Sequence, residues 1–138
     1  MKVISLKEPF ATLINNKKKY IETRSWKTPY RGEIYIHASK SIIDDSIYGR
    51  QELVKLIGDD TMNYGKIICK CELVDCIYMT EEYIDKIRIN EYQQYICGEY
   101  KVGRYAWILE NIEPLSEPIV AKGKLRIWNY EEENEKNE

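Results

Sequence analysis

Residues 17–39 read KKKYIETRSWKTPYRGEIYIHAS, and the closing stretch EIYIHAS (residues 33–39) decides the fold. There Ile34, Ile36 and Ala38 fall on one face and Tyr35, His37 and Ser39 on the other. A period of two belongs to a strand with one face against a core. Pro29 and Gly32 punctuate a turn around Tyr30 and Arg31 just before it, and residues 20–24 read as extended on the far side of that turn.

Working outward, residues 3–6 form a short strand. Pro9 opens a helix in which Phe10, Leu13 and Ile14 make one apolar stripe, and Asn15 and Asn16 end it. Residues 44–57 read as a helix ended by Gly58. Residues 66–79 are β-rich. Thr80 starts a helix that passes Ile87, breaks near Asn90 and continues as a turn through Tyr95. Residues 104–110 form a strand, Pro114 and Pro118 bracket a loop, and residues 124–130 form the last strand. Strands separated by two or three helices predict an α+β domain, placed at residues 1–130.

The bulk composition fits that reading. The chain has 138 residues, 43% hydrophobic and 32% charged, enough for a core without disulfide or metal staples. Twelve tyrosines stand beside one phenylalanine. Net charge is −2, but residues 131–138 hold five Glu and one Lys, so the remainder carries +2. That acidic tail is expected to be disordered, with folding back over a basic cleft as the alternative. Residues 17–31 hold six basic residues and one acid, a local +5. The apolar runs are too short for a membrane span or a signal peptide, which predicts a cytoplasmic chain with reduced thiols. Gly-rich phosphate loops, HExxH and CxxC are lacking, so neither cofactor nor metal is expected, and Cys69, Cys71 and Cys76 read as buried thiols.

The chemistry concentrates in Lys19, Glu22 and Arg24, spaced K-x-x-E-x-R. In an extended segment Glu22 and Arg24 point the same way, and a guanidinium orients a carboxylate. A lysine among other cations can act as base or nucleophile. Trp26 and Tyr30 add flat surfaces, and aromatic rings among basic residues, Arg31 included, suit stacked bases and phosphate. The bland alternative is a solvated helix end and a structural ion pair. His37, the only histidine, reads either as a base near a cleft or as a hydrogen-bonded strand residue. Ser39 reads as a phosphate contact or a wet strand end. Tyr105 and Trp107, at i and i+2, read equally as binding surface or core, and Trp128 as core.

In order, the chain carries P-F-A-T-L-I, K-x-K-x-x-E-x-R-S-W, Y-R-G-E-I-Y-I-H-A-S, R-Y-A-W-I-L-E and K-G-K-L-R-I-W-N. This set resembles the ASCH domain of the PUA-like superfamily across nearly the whole chain. The resemblance implies a small β-barrel of about five or six strands flanked by two or three helices. It also implies a cleft lined by a G-x-K-x-x-E-x-R motif and bordered by the strand of Tyr105 and Trp107. Lys19, Glu22 and Arg24 match that motif, and Lys17 replaces its glycine. Family members are thought to bind RNA or modified nucleobases; some cleave N4-acetylcytidine, and one is described as a ribonuclease. The expected function is therefore an RNA- or nucleoside-binding module. The alternative is a metal-independent hydrolase of an acylated nucleobase, or a small ribonuclease, with Lys19 and Glu22 catalytic. The similar amidohydrolases use a Lys-Thr-Glu set, and Glu22 stands at the threonine position. Thr23 would face away, and Glu72 and Glu110 are candidates for the further acid.

Overall fold

The computed structural model describes residues 1–131, and the expected disordered tail lies almost wholly outside them. In chain order the elements are β1 (Lys2–Leu6), α1 (Phe10–Asn15), β2 (Ile21–Arg24), β3 (Gly32–Ala38), a 3-10 turn (Asp45–Gly49), α2 (Gln51–Ile57), β4 (Lys66–Tyr78), α3 (Glu81–Asn90), α4 (Tyr92–Ile96), β5 (Tyr105–Val120) and β6 (Ile127–Asn129). The strands form one curled half-barrel sheet in the order β2-β5-β4-β3-β1-β6, with β1 parallel to β3 and the other pairs antiparallel.

Alternation in the strands sends Ile4, Leu6, Ile34, Ile36, Cys69, Cys71, Leu73, Trp107 and Leu109 into one core, which α1 closes with Ala11 and Ile14. The opposite face carries two smaller clusters. Val3, Ile67, Ala121 and Trp128 pack at the β1–β6 end, and Ile21, Met79, Ile87 and Ala106 pack beneath α3.

The free edge of β2 is covered by side chains rather than by a strand. The Gln94 amide oxygen accepts from the Tyr20 and Ile21 amides at 2.8 and 3.3 Å, and its nitrogen donates to the Lys18 carbonyl at 3.2 Å. The Glu99 amide donates to Thr23 Oγ1 at 3.0 Å, and Arg104 donates to the Thr23 carbonyl at 3.3 Å. These bonds bring the α4 end and the following loop against the segment that carries Lys19, Glu22 and Arg24.

Four expectations need correction. Four α-helices are present among the described residues, not two or three. Residues 44–57 split into a 3-10 turn capped by Asp44, whose carboxylate accepts from the Ser46 amide at 2.9 Å, and a separate α2. Pro114 and Pro118 lie inside β5. The strand β2 ends opposite Ile108, so beyond it β5 is an edge strand, where a missing amide costs no ladder bond. The last strand is shorter than expected and leaves Lys124, Leu125 and Arg126 in the loop before it.

Candidate ligand-binding site

The turn after α1 sets the position of Lys19. Lys17 takes a left-handed backbone, φ 62°, and its amide bonds the Ile14 carbonyl at 2.9 Å while the Lys18 amide bonds the Leu13 carbonyl at 2.9 Å. That pair is the Schellman termination usually built on glycine. The lysine here reproduces the glycine geometry at some conformational cost.

From that turn Lys19 folds inward and is 1% exposed. Its ammonium donates to the Cys97 carbonyl, lies 3.3 Å from Glu22 Oε1 and sits 5.1 Å from the centroid of the Phe10 ring. A carbonyl, a carboxylate and an aromatic face are the partners that suit a buried ammonium. On the other side of the carboxylate, Arg24 Nε lies 3.5 Å from Glu22 Oε2. Arg24 also donates from Nη2 to the Ser5 carbonyl at 3.0 Å, yet its buried Nε has no hydrogen-bond partner among the described residues. Glu22 is thus bracketed by two cations, and the trio carries a net positive charge. Register places Glu22 beside Trp107 and Arg24 beside Tyr105, all on one face of the sheet. Thr23 takes the other face, where its Oγ1 accepts from the Glu99 amide.

Trp26 and Trp107 meet edge to face, with centroids 4.7 Å apart at 87°, and the Trp107 Nε1 donates to the Trp26 carbonyl at 3.4 Å. Trp107 is 1% exposed and forms the floor under Trp26 rather than an open stacking surface. Tyr105 packs on Tyr78 at 5.6 Å. Tyr30 is half-buried, with its hydroxyl donating to the Glu33 carbonyl. Arg31 donates to the Thr28 and Tyr30 carbonyls at 2.9 and 2.8 Å and reaches toward Asp75 at 3.8 Å.

His37 and Ser39 do not bond this trio directly among the described residues; Ser5 stands between, accepting from Arg24 at its carbonyl and donating its hydroxyl to His37. His37 is 1% exposed. Its Nε2 lies 2.7 Å from the Ala121 carbonyl, so Nε2 must donate, and Nδ1 then accepts from Ser5 Oγ at 2.9 Å. Burial, with help from Lys40, lowers its pKa below the ordinary 6.5, against the bond to Ala121. The ring anchors the loop before β6. Ser39 spends its hydroxyl on Ser41 at 3.1 Å.

Glu72 and Glu110 pair across β4 and β5 in the exposed row opposite the core face. They line an open cavity of about 850 Å³ with Lys17, Tyr20, Asn111 and Glu113, not the Glu22 site. A second cavity of about 450 Å³, lined by Arg50, Glu52, Tyr95, Gly98 and Tyr100, lies beside the segment that holds Lys19. Tyr100 is the other residue with a buried polar atom lacking a hydrogen-bond partner among the described residues. Burial raises its pKa first, followed by Tyr83, Cys97 and the charge of Glu22.

The loop before β6 is the part that sequence reasoning missed. Its Arg126 guanidinium sits 4.6 Å above the Trp26 ring, and Lys124 sits 5.9 Å from the Trp128 ring. With Lys122 these are three cations, and among the described residues none has a carboxylate within ion-pair distance. The spacing K-x-K-x-R was the available signal.

A family model for the ASCH domain matches residues 4–119. The chain belongs to the ASCH family. The ASCH protein of Zymomonas mobilis has the same fold, with a TM-score of 0.61 at 17% identity over 98% of this chain and 90% of that one. A tyrosine-to-phenylalanine mutant of that protein gives 0.60 at 17% identity, covering 99% and 94%. A serine-to-alanine mutant gives 0.59 at 17% identity, covering 99% and 92%. Among curated proteins none matches the sequence. Within this ASCH fold, no helix of the described residues is long and apolar enough to cross a membrane, and no group of His, Cys, Asp and Glu among them is arranged to hold a metal ion.

Proposed function

We propose that this ASCH domain is a cytoplasmic module that binds RNA or a modified nucleoside at the Glu22–Arg24 face. The observation that carries the reading is Arg24. Its guanidinium is aimed by the Ser5 carbonyl and Glu22, while its side chain stays 27% exposed to solvent. Such a fixed, part-exposed guanidinium suits a phosphate or a base carbonyl. Trp26, Tyr30 and Tyr105 supply rings around it, with Trp107 as support, and Arg31 with the cations of residues 122–126 supply the positive rim. In this reading His37 and Ser39 shape the neighbouring loop and turn.

The hydrolase alternative draws less support. Lys19 is 1% exposed and already holds the Cys97 carbonyl and Glu22, which suits positioning better than attack on a substrate. Glu72 and Glu110 face away from it.

Fluorescence anisotropy of a labelled single-stranded RNA across a salt series tests the reading. Affinity should fall with salt, with a log–log slope of about −2 to −3 for three or four phosphate contacts. Arg24→Ala should abolish binding while the circular dichroism spectrum holds. Absence of binding at low salt, or full binding by the folded Arg24→Ala protein, overturns it. Incubation with N4-acetylcytidine decides the alternative: cytidine formation lost in a Lys19→Ala protein that keeps its circular dichroism spectrum would restore catalysis to this site.

A further inference from the structure

Trp26 is held from one side and covered from the other. The buried Trp107 fixes it edge-on at 4.7 Å, and the exposed Arg126 covers its ring with the guanidinium at 4.6 Å. Arg126 does so from a left-handed backbone, φ 56°, a conformation unfavourable for an L side chain.

The loop carrying Arg126 is pinned at its base. His37 holds the Ala121 carbonyl, and the Ala121 amide bonds the Gly65 carbonyl at 3.0 Å. Gly123 packs so closely that a Cβ there would meet Ser5 Oγ at 2.8 Å and His37 Cε1 at 2.9 Å. Beyond the loop, the Trp128 Nε1 donates to Ser5 Oγ at 3.0 Å. Between these anchors Lys122, Lys124 and Arg126 are exposed cations with no carboxylate within ion-pair distance among the described residues.

We propose that the Trp26 ring is a nucleobase-stacking subsite that Arg126 occupies in the free protein, and that a bound base displaces Arg126 onto the phosphate beside it. This rests on the nucleoside- or RNA-binding reading above. A guanidinium and a base are both flat and compete for one indole face. Displacement frees the strained residue, and the released guanidinium pairs with a phosphate, which it binds bidentately. The exchange discriminates ligands. An uncharged nucleoside must evict Arg126 and gains nothing from it. A nucleotide evicts it and regains it as a counter-ion.

Calorimetric titration of cytidine and of cytidine 5′-monophosphate into the wild type, Arg126→Ser and Arg126→Gly tests this. Loss of the competing stack should tighten cytidine binding about threefold in both variants. Loss of the phosphate partner should weaken the monophosphate about three- to tenfold. Arg126→Gly also removes the left-handed strain, so it guards against a folding artefact in the serine variant. Weaker binding of both ligands would make Arg126 an outer platform and overturn the proposal, as would unchanged affinities or no binding of either ligand by any of the three proteins. RNA binding that depends on Arg24 but leaves the Arg126 variants unmoved overturns this proposal alone. Loss of all RNA binding by the wild type overturns the underlying reading instead.

Discussion

The Lys19 ammonium lies 3.3 Å from the Glu22 carboxylate, with side-chain exposures of 1% and 10%. The pair ties the turn after α1 to β2, and Cys97 joins the loop after α4 to the same ammonium.

Lys19→Met should therefore destabilise the domain strongly. It strands the Cys97 carbonyl and removes one of the two cations from a buried carboxylate, a loss on the order of 3 kcal/mol. The double change Lys19→Met with Glu22→Gln should recover part of it, because the buried carboxylate charge goes and the Arg24 charge left behind is 27% exposed to solvent. Urea unfolding of the two variants measures the difference. An equal or greater loss in the double variant refutes the assignment.

Lys17→Gly should stabilise the chain. The φ of 62° at Lys17 is costly for a side chain and free for glycine. A gain of about 1 kcal/mol, or about 3 °C in Tm, is expected. Calorimetry that finds no gain would mean the ε-amino arm contributes contacts that offset the strain.

Gly98→Ala should disturb the site from outside it. A Cβ at Gly98 would meet Thr23 Cγ2 at 2.7 Å and Tyr100 Cε1 at 3.0 Å. The segment must shift, which costs about 1–3 kcal/mol and moves the Cys97 carbonyl away from Lys19. Weaker RNA binding together with a lower urea midpoint is the expected outcome. Wild-type values for both would show that the segment yields without strain.

His37 should make stability fall in mild acid. Its folded pKa is depressed by burial, so as pH drops through 6.5 the unfolded chain takes up the proton before the folded one. The contribution is complete above about pH 7 and is lost from 6.5 downward. His37→Gln keeps an amide donor for the Ala121 carbonyl and removes the titration. The urea midpoint of the wild type should drop more between neutral and acid pH than that of the variant. Parallel pH profiles would place the titration elsewhere.

Local pattern was a good guide wherever a residue's neighbours in sequence are also its neighbours in space. Alternation in residues 33–39 identified β3 and the faces of Ile34 and Ile36, and Thr80 marked the start of α3. It failed at Pro114 and Pro118, where proline is tolerated because β2 stops short of that part of β5. The same holds for His37, which shares a strand with the core face but spends both ring nitrogens on Ser5 and on Ala121, 84 residues away.

The basic segment around Lys19, Glu22 and Arg24 was visible in the sequence by itself, as was the ASCH pattern around it, because charge and spacing along a strand are local properties. Only the tertiary structure decided what the segment faces. It buried Lys19 against the Cys97 carbonyl, put Glu72 and Glu110 on the opposite face, and laid Arg126 across Trp26, a hundred residues apart in the chain. Those placements follow from the curl of the sheet and the anchoring of two loops, and long-range packing of that kind leaves no periodic trace in the sequence.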